Sequence, residues 1–297
     1  MNRASAIDRK TEAAWRFAFA AAGRILQTRA CPPVEVGGRR VLVVAPHPDD
    51  ETLGCAGAIR RHAGEGDPVT LAFITDGSRS RAGGHSADEM RSLRQAEAEH
   101  AAELLGALRL EWFGLPEGEW TFEQLKDPLL RMLERTGPDV IYAPSRIDFH
   151  PEHLRVASGL ACALSRAGLV TSSCVTRVIQ LQVPLTPVLT NRIVDCSGIS
   201  AEIVAAASVY RSQAANIGRA LRMRRYTAGL YGLREFGEEY WQMPVADYCR
   251  LHDGPPQHWH TECFRGIRFR SFSDPLAYCA GIRERRHLRR MAEAPGG

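Results

Sequence analysis

At 297 residues, with 44% hydrophobic and 24% charged content, the chain has an ordinary globular composition and room for one large α/β domain or two smaller ones. Its net charge of +4 traces to two runs, Arg219 to Arg225 with four arginines and Arg283 to Arg290 with five, the remainder being close to neutral. These runs read as solvated helix faces without any nucleic-acid motif, and no apolar stretch approaches the roughly 20 residues needed to span a bilayer, so neither nucleic acid nor stable membrane insertion is expected.

Residues 1–30 read as a helix that Cys31-Pro32-Pro33 ends. Its apolar part, Ala13 to Leu26, is interrupted by Arg16 and Arg24 and lacks the compact core of a signal peptide. It is expected to lie on the domain or on a partner subunit, and a homo-oligomer is compatible with that. Eight cysteines are scattered without a Cys-x-x-Cys pair and read as reduced small hydrophobes, which points to the cytoplasm.

The apolar run Arg40 to Ala45 reads as a strand buried on both faces. It runs into Ala-Pro-His-Pro-Asp-Asp-Glu, residues 45–51, and then a helix of small residues to about Gly64. One histidine and three acids therefore fall where a strand hands over to a helix, the edge at which α/β proteins place their sites. His47 and Asp50 can turn toward one point and would suit a divalent metal, leaving Asp49 free for proton work. The plainer alternative is an acidic first turn that complements the helix dipole.

After the turn Gly66-Asp67-Pro68 a second strand spans Val69 to Thr75, followed by an Arg/Ser/Gly-rich loop over residues 79–86 that reads as mobile. The next helix, Ser86 to Leu105, carries a capping box in Ser86 and Glu89, apolar spacing at Met90, Leu93, Ala101, Leu104 and Leu105, and a closing Gly106. A third strand (Leu108 to Phe113), a helix (Phe122 to Arg135), a fourth strand (Val140 to Pro144) and a helix (Leu154 to Arg166) follow. A fifth strand, Val175 to Val183, precedes an irregular segment with three more strand-like runs and a helix from Ser200 to Ala214. This alternation predicts βαβ units and a parallel sheet. Gly-x-Gly-x-x-Gly is absent after the first strand, which disfavours a dinucleotide-binding module.

A second cluster, His150-Pro151-Glu152-His153, also sits between a strand and a helix. Exposed loop histidines would explain it equally well in isolation. If the first and fourth strands are neighbours, however, both clusters open onto one crevice at a topological switch point. Two histidines and a carboxylate would then hold a metal with a fourth position for water, Asp49 would take that water's proton, and the remaining histidine would stabilise an oxyanion and protonate a leaving amine.

The paired motifs resemble those of the zinc-dependent N-deacetylases of the LmbE-like, or PIG-L, family. Thr75-Asp76-Gly77, Arg94-Gln95-Ala96-Glu97 with Leu105-Gly106, and Tyr210-Arg211-Ser212-Gln213 extend the similarity over roughly residues 39–245. The resemblance implies a Rossmann-like, mostly parallel sheet of order 3-2-1-4-5, a helical extension over 1–38 and a C-terminal extension over 246–297. It implies one Zn2+ on His47, Asp50 and His153, with Asp49 as general base and His150 as oxyanion stabiliser and general acid. Asp76, Arg94 and Asp148 are candidate pocket residues, each also explicable as a cap, an ion-pair partner or a loop acid. Glu152 departs from the family, which more often has Asp there. In the tail, His258, Trp259 and His260 read as exposed polar residues rather than a second metal site.

The implied reaction is removal of the acetyl group from an N-acetylated amino sugar or its conjugate, a small-molecule partner. The rivals are an amidase for a larger acyl group or thiol conjugate, and a catalytically silent carbohydrate-binding relative. Other divalent metals would accept the same ligands.

Overall fold

A computed structural model describes residues 31–80, 82–107, 109–148, 150–181, 185–253 and 275–293, together with positions 14, 17, 18, 20, 21 and 24, which are helical. The rest of the expected N-terminal helix, and His258, Trp259 and His260, lie outside the described residues. Seven strands, β1 (Val41–Ala45), β2 (Val69–Thr75), β3 (Arg109–Leu115), β4 (Val140–Ala143), β5 (Val175–Val178), β6 (Arg192–Asp195) and β7 (Gly237–Pro244), form one sheet of order β3-β2-β1-β4-β5-β7-β6. The first five are parallel in the expected 3-2-1-4-5 order. β7 then inserts antiparallel between β5 and β6.

Helices cover both faces of the sheet: α1 (Asp50–Gly64), α2 (Ala87–Leu105), α3 (Phe122–Thr136), α4 (Pro151–Arg166), α5 (Ser200–Val209), α6 (Ala214–Tyr231), α7 (Val245–Leu251) and α8 (Pro275–Glu293). Alternate side chains of β1 feed the two cores, as the pleat requires. Leu42 and Val44 join Leu125, Leu129, Leu160, Tyr248 and Leu288 on one face. Val41, Val43 and Ala45 join Ile59, Ala98, Ala101 and Ile203 on the other. Two-sided burial explains why β1 reads as an unbroken apolar run.

Three expectations need correction. β5 ends at Val178 rather than Val183, and among the described residues the segment before α5 holds one strand, β6, and a helical turn at Thr186–Leu189. The helix from Ser200 stops at Val209, because Tyr210 leaves helical space (φ −74°, ψ 65°) before a short 3-10 turn and the new helix α6. Finally, the arginine runs are not wholly solvated, since Arg224 and Arg285 are buried.

The buried stripe of α2 is Met90, Arg94, Glu97, Ala98, Ala101, Ala102 and Leu105, while Leu104 is exposed. The apolar spacing misses Arg94 and Glu97 because the first half of that helix faces a polar site rather than the core. In α1, Cys55 breaks the helix (φ −150°, ψ 27°), which frees the amides just beyond it. The buried Glu238 of β7 accepts from Gly57 N and Ala58 N, both at 2.9 Å. A Cβ on Gly57 would fall 2.3 Å from Cys196 Sγ, so glycine permits this close approach. Arg224 pairs with Glu238 and donates to Thr52 O at 2.9 Å.

Six cysteines among the described residues are free thiols. No helix among them is long and apolar enough to cross a membrane.

Candidate metal and catalytic site

β1 and β4 are hydrogen-bonded neighbours. Their following helices run toward opposite sides of the sheet, so the loops at residues 46–49 and 144–150 open onto one crevice at the switch point. The N-termini of α1 and α4 both lie here, the second entered through Pro151. Each contributes a partial positive charge that favours a developing anion.

His47 Nδ1, Asp50 Oδ2 and His153 Nε2 form a triangle with edges of 3.1, 3.2 and 3.2 Å. A tetrahedral ion bound at 2.0–2.1 Å has ligand–ligand edges of about 3.3 Å, so two imidazoles and a carboxylate at this spacing fit a divalent cation. The histidine pair His150 and His153 with His47 forms a looser group, its ring nitrogens within 4.8 Å of one another, that could also bind a metal. Asp148 Oδ2 lies 2.7 Å from His153 Nδ1, which keeps a proton on Nδ1, so that a cation at the triangle would take the place of the Nε2 proton. His47 Nε2 is buried without a hydrogen bond, and Glu117 Oε1 stands 3.5 Å away.

Burial alone would raise Asp50, but the His153 and His47 rings outweigh it and hold the carboxyl well below its usual range. Burial likewise opposes charge on His153, yet Asp148 and Asp50 push its pKa well above that of free imidazole. Both shifts describe a site in which negative and positive partners are already matched.

Asp49 occupies the turn into α1 with φ 150°, a backbone state that costs a non-glycine residue about 1–3 kcal/mol. Several contacts hold it. Asp49 N donates to Glu51 Oε2 (3.1 Å), Arg94 Nη2 donates to Asp49 Oδ1 (2.7 Å), and Arg94 Nε donates to Pro48 O (3.1 Å). Burial lifts Asp49 to about 6, with Arg94 pulling down and Asp50 pushing up. Glu51 is itself buried, takes hydroxyl donors from Tyr210 and Thr52, and is raised by burial to about 7.

His150 is half-buried, and its Nδ1 accepts from Glu152 N (3.3 Å), so its proton sits on Nε2. Burial, then the His153 and His47 charges, lower its pKa to about 4. Its ring centroid is 4.8 Å from those of both His47 and His153. Glu152 bonds Trp120 Nε1 and Arg155, anchoring Trp120 under the guanidinium of Arg155.

The crevice has a volume of about 170 Å³, and its walls include His47, Asp49, Asp50, Arg94, His150 and His153. Of the three further candidates, Arg94 reaches the cavity but is pinned to Asp49, and Asp148 stands behind His153. Asp76 does not line the crevice. Its carboxylate ties the β2 and β3 ends together by accepting from Ser78 N, Glu117 N and Arg91 Nε. Glu117, Glu51 and Tyr210 were not legible as site residues. Signals existed for Glu51, the last residue of the Ala-Pro-His-Pro-Asp-Asp-Glu motif, and for Tyr210, which lies in the Tyr-Arg-Ser-Gln stretch, where Ser212 also binds Glu97.

The fold and donor set define an α/β protein with a metal-type site at its switch point. Residues 42–164 match the family described as PIG-L: GlcNAc-PI de-N-acetylase. It is 30% identical over 137 residues to diacetylchitobiose deacetylase of Thermococcus kodakarensis, covering 44% of this chain and 51% of that one. A probable N-acetyl-alpha-D-glucosaminyl L-malate deacetylase 2 of Bacillus cereus is 34% identical over 122 residues, covering 39% of this chain and 53% of that one. The aligned part thus spans about half the length of these curated relatives. The crystal structure of N,N'-diacetylchitobiose deacetylase from Pyrococcus horikoshii shares the fold, with a TM-score of 0.62, 23% identity, and coverage of 71% of this chain and 86% of that one.

Proposed function

We propose that this chain is a zinc-dependent hydrolase that removes the N-acetyl group from an N-acetylglucosamine-type sugar or its conjugate. The observation that carries this reading is the triangle of His47, Asp50 and His153 beside a buried, strained Asp49. These three residues would hold the ion, which when bound supplies Lewis acidity that polarises an acyl oxygen and makes water more acidic. The catalytic unit is residues 39–245, with 1–38 and 246–297 as extensions.

Asp49 is the general base. Arg94 occupies its Oδ1, which leaves Oδ2 to accept the proton of the attacking water. With burial lifting it to about 6, Asp49 is ionised near neutral pH yet basic enough to take that proton. His150, kept neutral by a pKa lowered to about 4, presents N–H at Nε2 because Nδ1 is engaged by Glu152 N, and hydrogen-bonds it to the oxyanion, while the proton that Asp49 took from water passes to the leaving amine. The helix N-termini of α1 and α4 favour the same negative charge. The sugar assignment rests on the substrates named for the relatives.

The test is release of primary amine from a panel of N-acetylglucosaminyl compounds by the zinc-loaded chain, beside Asp49→Ala. Release that requires both zinc and Asp49 is expected. Silence across the panel in protein carrying one zinc per chain would overturn the reading.

A further inference from the structure

The cavity has a second wall, built from the loop after β2 and the start of α6, that the hydrolytic chemistry does not use. Arg79, Ser80, Gln213, Asn216 and Arg219 line it. Gln213 Nε2 donates to Ser80 Oγ (3.0 Å), Asn216 Nδ2 to Gln213 Oε1 (3.1 Å), and Arg219 Nη2 to Asn216 Oδ1 (3.4 Å). Each acceptor in this relay is filled by the next donor. What remains for a ligand is the Ser80 hydroxyl proton, the second amide protons of Gln213 and Asn216, and the guanidinium N–H groups.

The carboxylates of the cavity are already engaged. Asp49 is bound by Arg94, Asp50 by the two histidines, and Glu117 by the Arg79 backbone N–H at 3.1 Å. Neither the Arg79 nor the Arg219 guanidinium has a carboxylate partner among the described residues. The Arg79 side chain lies across Gly118, where an added Cβ would fall 1.9 Å from Nη1, so glycine makes room for the fork. Neutral sugar hydroxyls call for a mixture of donors and acceptors. A wall of donors with two uncompensated positive charges matches an oxyanion instead.

We propose that this wall is a subsite for an anionic group, phosphate or carboxylate, that the substrate carries next to its N-acetylated sugar, bound by Arg79 and Arg219 with Ser80, Gln213 and Asn216. The proposal rests on the deacetylase reading of the same cavity and sharpens its substrate class: anionic N-acetylglucosaminides are preferred over neutral ones.

The test compares three glycosides of one N-acetylated sugar: N-acetylglucosamine 1-phosphate, the carboxymethyl glycoside and the neutral methyl glycoside. Affinities are measured by calorimetry on the zinc-loaded Asp49→Ala chain, and amine release on the unaltered zinc-loaded chain. At least one anionic compound is expected to bind about tenfold or more tighter than the methyl glycoside, and the better of the two identifies the anion. Arg79→Gln and Arg219→Gln are each expected to remove about tenfold of that preference, and Arg219→Lys to restore part of it. Equal binding of all three compounds, or a preference that survives both glutamine substitutions, would overturn the subsite. Amine release from all three without an anion preference would leave the deacetylase reading standing and refute the subsite alone. Arginine-dependent anion binding without amine release would do the reverse.

Discussion

Asp148→Asn gives a direct measure of how the site is held. The carboxylate lies 2.7 Å from His153 Nδ1 and is buried, so it orients a ring whose other nitrogen completes the triangle. Asparagine keeps the shape and an acceptor oxygen but loses the charge and admits a flipped amide. Loss of such a supporting carboxylate typically costs 10–100-fold in metal affinity, about 1.4–2.7 kcal/mol. Zinc affinity is measured by competition with a chelator, on full-length Asp148→Asn beside His153→Ala and His150→Ala. The expected order is severe loss in His153→Ala, an intermediate loss in Asp148→Asn, and a small loss in His150→Ala. The reasoning fails if Asp148→Asn binds zinc within twofold of the unaltered chain. It fails equally if His150→Ala loses zinc as severely as His153→Ala, because the looser three-histidine group would then be the ligand set.

Asp49→Asn should lower amine release by about 10²–10⁴-fold while still binding one zinc, the range expected for loss of a general base; comparable loss of zinc would assign Asp49 to the metal instead. His252 donates from Nδ1 to Tyr248 O at 2.8 Å and accepts Arg146 N at Nε2 at 3.1 Å, and burial holds its pKa down at about 3 against 6.5 for free imidazole. Between those two values the unfolded chain takes up a proton that the folded one refuses, so stability falls as pH falls, by up to about 1.4 kcal/mol per pH unit from this group. Urea titrations at several pH values should show a shallower dependence in His252→Gln, and parallel curves would refute the assignment. Arg224→Met would remove the cation paired with the buried Glu238 and cost about 3–5 kcal/mol, read as a large drop in thermal midpoint; a drop of only a degree or two would refute that contribution of the pair.

Local pattern carried the parallel half of the sheet and the two strand-to-helix motifs, because β1 is apolar on both faces and the chemistry-bearing residues sit within a few positions of one another. Ser86 and Glu89 form the expected capping box for the same reason. Long-range partners left no comparable trace. Glu51 and Tyr210 are 159 residues apart, and nothing near either one announces the other. Arg224 sits in a run that looks solvated until the sheet brings Glu238 to it. Asp76 was legible as an acid near the site but not as the clamp between two loops, since its partners Ser78, Arg91 and Glu117 belong to three different segments. β7 was missed because Gly-Glu-Glu-Tyr-Trp-Gln-Met-Pro puts two acids in a buried strand, and the side chains that neutralise or bind them, Arg224 and Gln180 among them, come from other elements.

The late insertion of β7 has a consequence for a chain made from its N-terminus onward. β6 pairs with β7 and with an isolated bridge from Pro33, so when residues 192–195 emerge from the ribosome their main ladder does not yet exist. The free edge of β5 stays exposed through the same interval, a surface prone to mispairing. Glu238, whose carboxylate caps the second half of α1, arrives 181 residues after the Gly57 amide it serves. The helix that begins at the turn carrying His47 and Asp49 therefore gains this contact only once β7 is made, and a nascent chain halted short of residue 237 would carry the full motif without the carboxylate that locks its helix in place.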